Sequence, residues 1–113
     1  MTISVLLKCI SLVETKSFYK DILGFEVHES SENTITVKKE NGRLIFTDLE
    51  LWPGIPSNTA TIYFALTNVD EYFNSIKDTS IILWPLDNTS YGSREFGIKD
   101  NSDYHIAFAQ NIV

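Results

Sequence analysis

Ser11-Leu12-Val13-Glu14-Thr15-Lys16-Ser17-Phe18-Tyr19-Lys20-Asp21-Ile22-Leu23-Gly24-Phe25 is the stretch that decides the fold, because it opens and closes a helix by recognisable chemistry. Ser11 and Glu14 have the Ser-x-x-Glu form of a capping box, in which hydroxyl and carboxylate each satisfy a free amide of the first turn. Leu12, Thr15, Tyr19, Ile22 and Leu23 then form one helical stripe, and Gly24 supplies the left-handed stop. Upstream, residues 3–10 are apolar and β-branched enough for a buried strand. Downstream, residues 25–29, 34–39 and 43–49 read as strands, separated by turns at residues 30–33 and at Asn41-Gly42, a strong hairpin signal. The first half reads βαβββ.

The same order starts again after the loop Trp52-Pro53-Gly54-Ile55-Pro56. A strand at 60–66 leads into the Asn-x-x-Glu cap Asn68-Val69-Asp70-Glu71, and Val69, Tyr72, Phe73 and Ile76 mark a second helical stripe. Strands at 81–86, 94–99 and 104–110 complete this half, the last two flanking the turn Asp100-Asn101-Ser102-Asp103. An offset of 57 superposes Val5, Leu7, Cys9, Leu12 and Tyr19 on Ile62, Phe64, Leu66, Val69 and Ile76. Later the offset becomes 62, pairing Leu44 and Phe46 with Ile106 and Phe108, as a longer loop at 87–93 requires. The expectation is an α+β fold in one domain, residues 1–113, with repeat one over about 1–50 and repeat two over about 59–113.

Composition bounds the function. At 43% hydrophobic and 21% charged, the chain can bury a real core and is no disordered polyelectrolyte. Fifteen acidic against nine basic residues give a net charge of -6, which repels phosphate backbones and anionic membranes, so neither nucleic acid nor membrane is expected as a partner. The first residues lack the basic start and apolar run of a signal peptide, and cytoplasmic residence is the expectation. Cys9 is the single cysteine, which excludes an internal disulfide, and its place in an apolar run reads as a buried structural thiol.

Two βαβββ halves, the motif Phe18-Tyr19-Lys20-Asp21-Ile22-Leu23-Gly24-Phe25, and Tyr91-Gly92-Ser93-Arg94-Glu95-Phe96-Gly97-Ile98-Lys99-Asp100 together resemble the vicinal oxygen chelate superfamily. That is the group of glyoxalase I, ring-cleaving dioxygenases and bleomycin-resistance proteins, and the second motif is similar to its bleomycin-resistance-like branch. A departure is the usual Asp-Pro-Asp-Gly turn, which here is Asp100-Asn101-Ser102-Asp103. The resemblance implies a curled mixed sheet around a cleft, with the helices on its outer face. It also implies where metal ligands of the enzymes would fall, at Ser4, Ile45, Thr61 and Ala107. Two hydroxyls and two hydrocarbons cannot replace the aqua ligands of a divalent metal, so neither metal nor any other cofactor is expected. His28 and His105 lack the spacing of a shared metal site.

Alternation sorts the strands onto two faces. Ser4, Leu6, Ile45, Thr47, Thr61, Tyr63, Ala65, His105, Ala107 and Ala109 form the expected concave set, while Val5, Leu7, Leu44, Phe46, Ile62, Phe64, Ile106 and Phe108 face the helices. A four-residue final connection would set Phe96 opposite Ala107 and Arg94 opposite Ala109, adding both to the concave face. Glu95 then points away and reads as structural or surface. Trp84, Tyr91 and Trp52 are candidates for the rim, with Trp52 and Trp84 equally suited to a subunit interface. These residues point to non-catalytic binding of a small drug or metabolite, aromatic or cationic, and for a chain this short the resemblance implies a homodimer that completes the cleft. Two alternatives stay open: a metal-dependent lyase or isomerase with a shifted site recruiting His105, and a homodimeric regulatory module.

Overall fold

Both caps form. Ser11 Oγ accepts from the Glu14 amide at 3.2 Å and Asn68 Oδ1 from the Glu71 amide at 3.1 Å, opening α1 (Leu12–Ser17) and α2 (Val69–Ile76). After Ser17 the first helix widens into a π-helical turn, Phe18–Ile22, in which the Leu23 amide donates to the Phe18 carbonyl at 3.0 Å. A wider turn holds more residues per revolution, so Thr15, Tyr19 and Leu23 stay buried while Ile22, expected on the same stripe, is 37% exposed. Gly24 takes the left-handed conformation (φ +72°) that ends the segment.

The structure, a computed structural model, describes residues 3–57 and 59–112. The chain divides into two compact units, Met1–Ser57 and Asn58–Val113, each carrying the expected βαβββ order. In the first unit, β1 (Leu6–Lys8), β2 (Glu26–Ser31), β3 (Thr34–Lys39) and β4 (Gly42–Thr47) form a sheet of order β1-β4-β3-β2. In the second, β5 (Thr61–Ala65), β6 (Ile81–Asn88), β7 (Ser93–Lys99) and β8 (His105–Asn111) form one of order β5-β8-β7-β6. The first and last strands of each unit run parallel and the remaining pairs antiparallel. The repeat holds at the level of pairing. Leu6 opposite Ile45 corresponds to Tyr63 opposite Ala107, and Leu7 opposite Phe46 to Phe64 opposite Phe108, at the offsets of 57 and 62 read from the sequence.

Three expected features shift. The strand read over residues 3–10 is regular only at Leu6–Lys8, with single bonds from Ile45 to the Val5 carbonyl and from Cys9 to the Thr47 carbonyl at its ends. Lys39 pairs with Gly42, so the hairpin loop is Glu40-Asn41 rather than Asn41-Gly42, and Glu40 takes the positive φ of +51°. The largest shift is in the last hairpin. Lys99 pairs with His105, leaving a five-residue connection, and Phe96 therefore lies opposite Phe108 and Arg94 opposite Gln110. The buried Asp100 holds this loop: its Oδ1 accepts from the Ser102 and Tyr104 amides, both at 2.9 Å, while its own amide donates to the Tyr104 carbonyl.

Each helix covers one face of its own sheet. In the first unit Tyr19 has no exposed surface and packs with ring centroids 5.2 Å from both Phe25 and Phe46. In the second, Tyr72 and Phe73 of α2 meet Phe108 and Phe96 at 4.8 and 4.9 Å, with Phe96 and Phe108 5.3 Å apart. Such aromatic contacts add roughly 0.5–1.5 kcal/mol each beyond burial. Replacing Gly24 by Ala tests the helix stop: a Cβ there would meet no atom within 4 Å, so the cost is conformational alone. Chemical denaturation is expected to show a loss of about 1 kcal/mol.

Candidate functional site

The open face of the second sheet, away from α2, gathers the chemistry. Parallel pairing sets Thr61, Tyr63 and Ala65 beside His105, Ala107 and Ala109, and antiparallel pairing continues these rows to Lys99, Gly97 and Glu95. The middle row runs Tyr63, Ala107, Gly97, Trp84, with an aromatic ring at each end and the two smallest residues between. Trp84 lies flat on Gly97: a Cβ at that position would come within 2.3–2.4 Å of three indole carbons. Close approach of this kind is what a glycine inside a strand permits.

One row along, Glu95 is 5% exposed and forms the polar centre of the face. Tyr91 Oη donates to its Oε1 at 2.7 Å, Ser93 Oγ donates to its Oε2 at 3.0 Å, and Tyr63 Oη makes a longer contact of 3.4 Å to Oε1. The Thr89–Ser93 connection positions two of these donors. Thr89 donates through its amide and hydroxyl to the Ser93 carbonyl and accepts from the Ser93 amide, and Gly92 sits at φ +85°. Donation to Glu95 pushes the Tyr91 phenol up to about 12, with partial desolvation and the Tyr63 hydroxyl adding to the effect. Tyr63 and Tyr91 are 54% and 67% exposed, and Ala65 and Ala109 in the Glu95 row leave space beside them.

Thr61, Tyr63, His105 and Ala107 therefore share the face expected of them, and Trp84 and Tyr91 join it. Phe96 and Arg94 do not. The one-residue difference in register turns both to the helix side, since side chains alternate with a period of two. Phe96 has no exposed surface and belongs to the aromatic core. Arg94 grips Asp70 of α2 through Nε and Nη2 at 3.0–3.1 Å and donates from Nη1 to Asn88 at 2.8 Å, so it secures α2 and β6 to β7. The same slip brings Glu95 to the open face, where the sequence reading had it pointing away. A five-residue Asx-stabilised connection at Asp100 was the signal that would have placed it.

In the first unit Leu6 and Ile45 share an open-face row with Thr36 and His28. Ser4 precedes β1 and accepts from Arg43 Nη2 at 2.7 Å. Thr47 is buried, donating to the Asn33 carbonyl at 2.7 Å and accepting from the Leu49 amide, so its hydroxyl is committed to the turn. Lys8 reaches Glu50 and the Trp52 and Gly54 carbonyls, fixing the loop that carries the exposed Trp52. A cleft of about 320 Å³ between α1 and the β2–β3 hairpin, walled by the Lys16–Glu29 ion pair, contains none of the expected residues.

The model of the Glyoxalase/Bleomycin resistance protein/Dioxygenase superfamily matches residues 5–108. The chain belongs to this superfamily. Similar solved structures include a protein of unknown function from Agrobacterium tumefaciens str. C58, with TM-score 0.80 and 18% identity over 98% of this chain and 94% of that one. Another is a glyoxalase/bleomycin resistance protein/dioxygenase from Alicyclobacillus acidocaldarius, with TM-score 0.80 and 15% identity over 100% and 92%. TioX from Micromonospora sp. ML1 has TM-score 0.79 and 13% identity over 98% of each chain. These identities show the fold alone. Comparison with curated proteins gives no match.

The divalent metal of the superfamily's enzymes does not fit the residues present. Ser4 accepts from a cationic guanidinium, Thr61 offers a neutral hydroxyl, and Ile45 and Ala107 offer no donor atom. Among the described residues no group of three His, Cys, Asp or Glu side chains is placed to hold a metal.

Two outcomes test the geometry. Gly97→Ala drives a methyl into Trp84 and is expected to cost about 1–3 kcal/mol, with a shift of Trp84 emission measured in a Trp52→Phe background. The difference between wild-type and Tyr91→Phe ultraviolet titrations isolates Tyr91, and Glu95→Gln is expected to move its midpoint from about 12 down toward the ordinary value near roughly 10. Because the folded-state value is raised, this bond supports the fold fully below roughly pH 10 and loses its contribution as pH climbs toward about 12.

Proposed function

We propose that this protein binds a small organic molecule without transforming it, on the open face of its second sheet around Glu95, Tyr63, Tyr91 and Trp84. The observation that carries the reading is the buried Glu95 carboxylate held by hydroxyls from two exposed tyrosines, beside the small side chains of Ala65 and Ala109. Binding sites commonly combine apolar and aromatic surface with a few convergent polar groups. Thr61, His105 and Ala107 extend this face, and the superfamily's description embraces resistance proteins as well as enzymes. Sequestration of a drug or metabolite in the cytoplasm is the corresponding role.

We also propose that the working assembly is a homodimer. Leu49, Leu51, Trp52 and Ile55 are exposed together on a loop that Lys8 holds in place, which supports this reading. Light scattering is expected to give twice the chain mass, and a concentration-independent monomer overturns the dimer.

Native mass spectrometry of freshly purified protein tests the binding reading by detecting a carried ligand. For any ligand found, Tyr63→Ala is expected to weaken binding by roughly two- to tenfold, the worth of one aromatic contact, with the fold retained. Unchanged affinity in both Tyr63→Ala and Thr61→Leu removes this face as the site.

A further inference from the structure

We infer that the ligand of this face carries an organic cation, an ammonium or amidinium group on an aromatic body, received by Glu95; this rests on the binding reading above. Burying a carboxylate is costly unless hydrogen bonds or an opposite charge compensate it. Among the described residues, Glu95 has hydrogen bonds only from neutral hydroxyls, on Tyr91, Ser93 and Tyr63. A carboxylate offers about four acceptor positions, and these three donors, one of them long, leave capacity for another. Among the described residues no cationic side chain forms an ion pair with it.

The nearest basic residues are committed or distant. Arg94 is adjacent in sequence but lies on the opposite face, occupied by Asp70 and Asn88. Lys99 shares the face four residues further along β7, roughly 13 Å away at strand spacing. Among the described residues the carboxylate of Glu95 therefore has no ion-pair partner, and it lies beside exposed phenol rings. Rings flanking a carboxylate favour a cation twice over, through charge and through the negative faces of their π-systems. An inorganic divalent ion is a poor alternative, because a single carboxylate with hydroxyls falls short of the six or more oxygen ligands a calcium ion takes. An anionic ligand would meet the charge head-on.

The test uses three probes of one shape: 2-naphthylmethylamine, 2-naphthylmethanol and 2-naphthoate, titrated into the isotope-labelled full chain and followed by amide NMR shifts. The amine is expected to bind roughly tenfold or more tightly than the alcohol, as a charge-assisted hydrogen bond implies, with the largest shifts at Tyr63, Tyr91 and Glu95. Its affinity, unlike that of the alcohol, is expected to fall with added salt, and the naphthoate is expected to bind weakest. Glu95→Gln is expected to equalise amine and alcohol. Equal binding of amine and alcohol at this face by wild type, or a preference that survives in folded Glu95→Gln, overturns the cation assignment and leaves the binding reading standing. Should the variant fail to fold, the wild-type preference and its salt dependence decide the matter. If none of the three probes shifts residues of this face, the binding reading falls with it.

Discussion

Asp100 fixes the register on which the second unit depends. Its buried carboxylate accepts from the Ser102 and Tyr104 amides inside a five-residue connection, and the strand pairing that results begins at Lys99 and His105. From that pairing Phe96 and Phe108 fall together under α2, where Tyr72 and Phe73 pack on them. Glu95 and Gly97 fall on the other side, among tyrosines and beneath Trp84. A slip of one residue would take Glu95 away from the Tyr91, Ser93 and Tyr63 hydroxyls and turn it into the aromatic cluster under α2, where burying a poorly compensated charge is costly.

The consequence reaches the helix as well. Arg94, sharing the face of Phe96, ties α2 to β7 and β6 through Asp70 and Asn88. The Gln110 side chain, opposite Arg94, accepts from the Val69 amide and so caps the same helix from the sheet. Motif residues side by side in the sequence thus divide their labour: Arg94 and Phe96 build the fold, and Glu95 and Gly97 shape the open face.

Much of this was legible in the sequence wherever local chemistry determines local structure. Ser11 and Asn68 announce both helices by their caps, and the offset of 57 survives as equivalent strand pairing, Leu6 with Ile45 and Tyr63 with Ala107. The faces of β5 and β8 followed from alternation together with the apolar set Ile62, Phe64, Ile106 and Phe108, which has to face a core. The face of β7 did not, because alternation sets which residues share a side but not which side that is. That choice lies in the length of the Asp100 connection, and reading the turn as four residues inverted Arg94, Glu95 and Phe96 together. Ile22 was misplaced for a related reason, since a π-helical turn changes the period on which a stripe is counted.

The measurement that tests the account most directly is a nuclear Overhauser spectrum of the isotope-labelled protein, read across the last hairpin. The account requires cross-strand contacts of Phe96 with Phe108 and of Gly97 with Ala107, side-chain contacts of Phe96 with Phe73, and contacts from the Glu95 methylenes to the Tyr91 ring. Cross-strand contacts of Phe96 with Ala107, accompanied by Phe96 ring contacts to Tyr63, would contradict it.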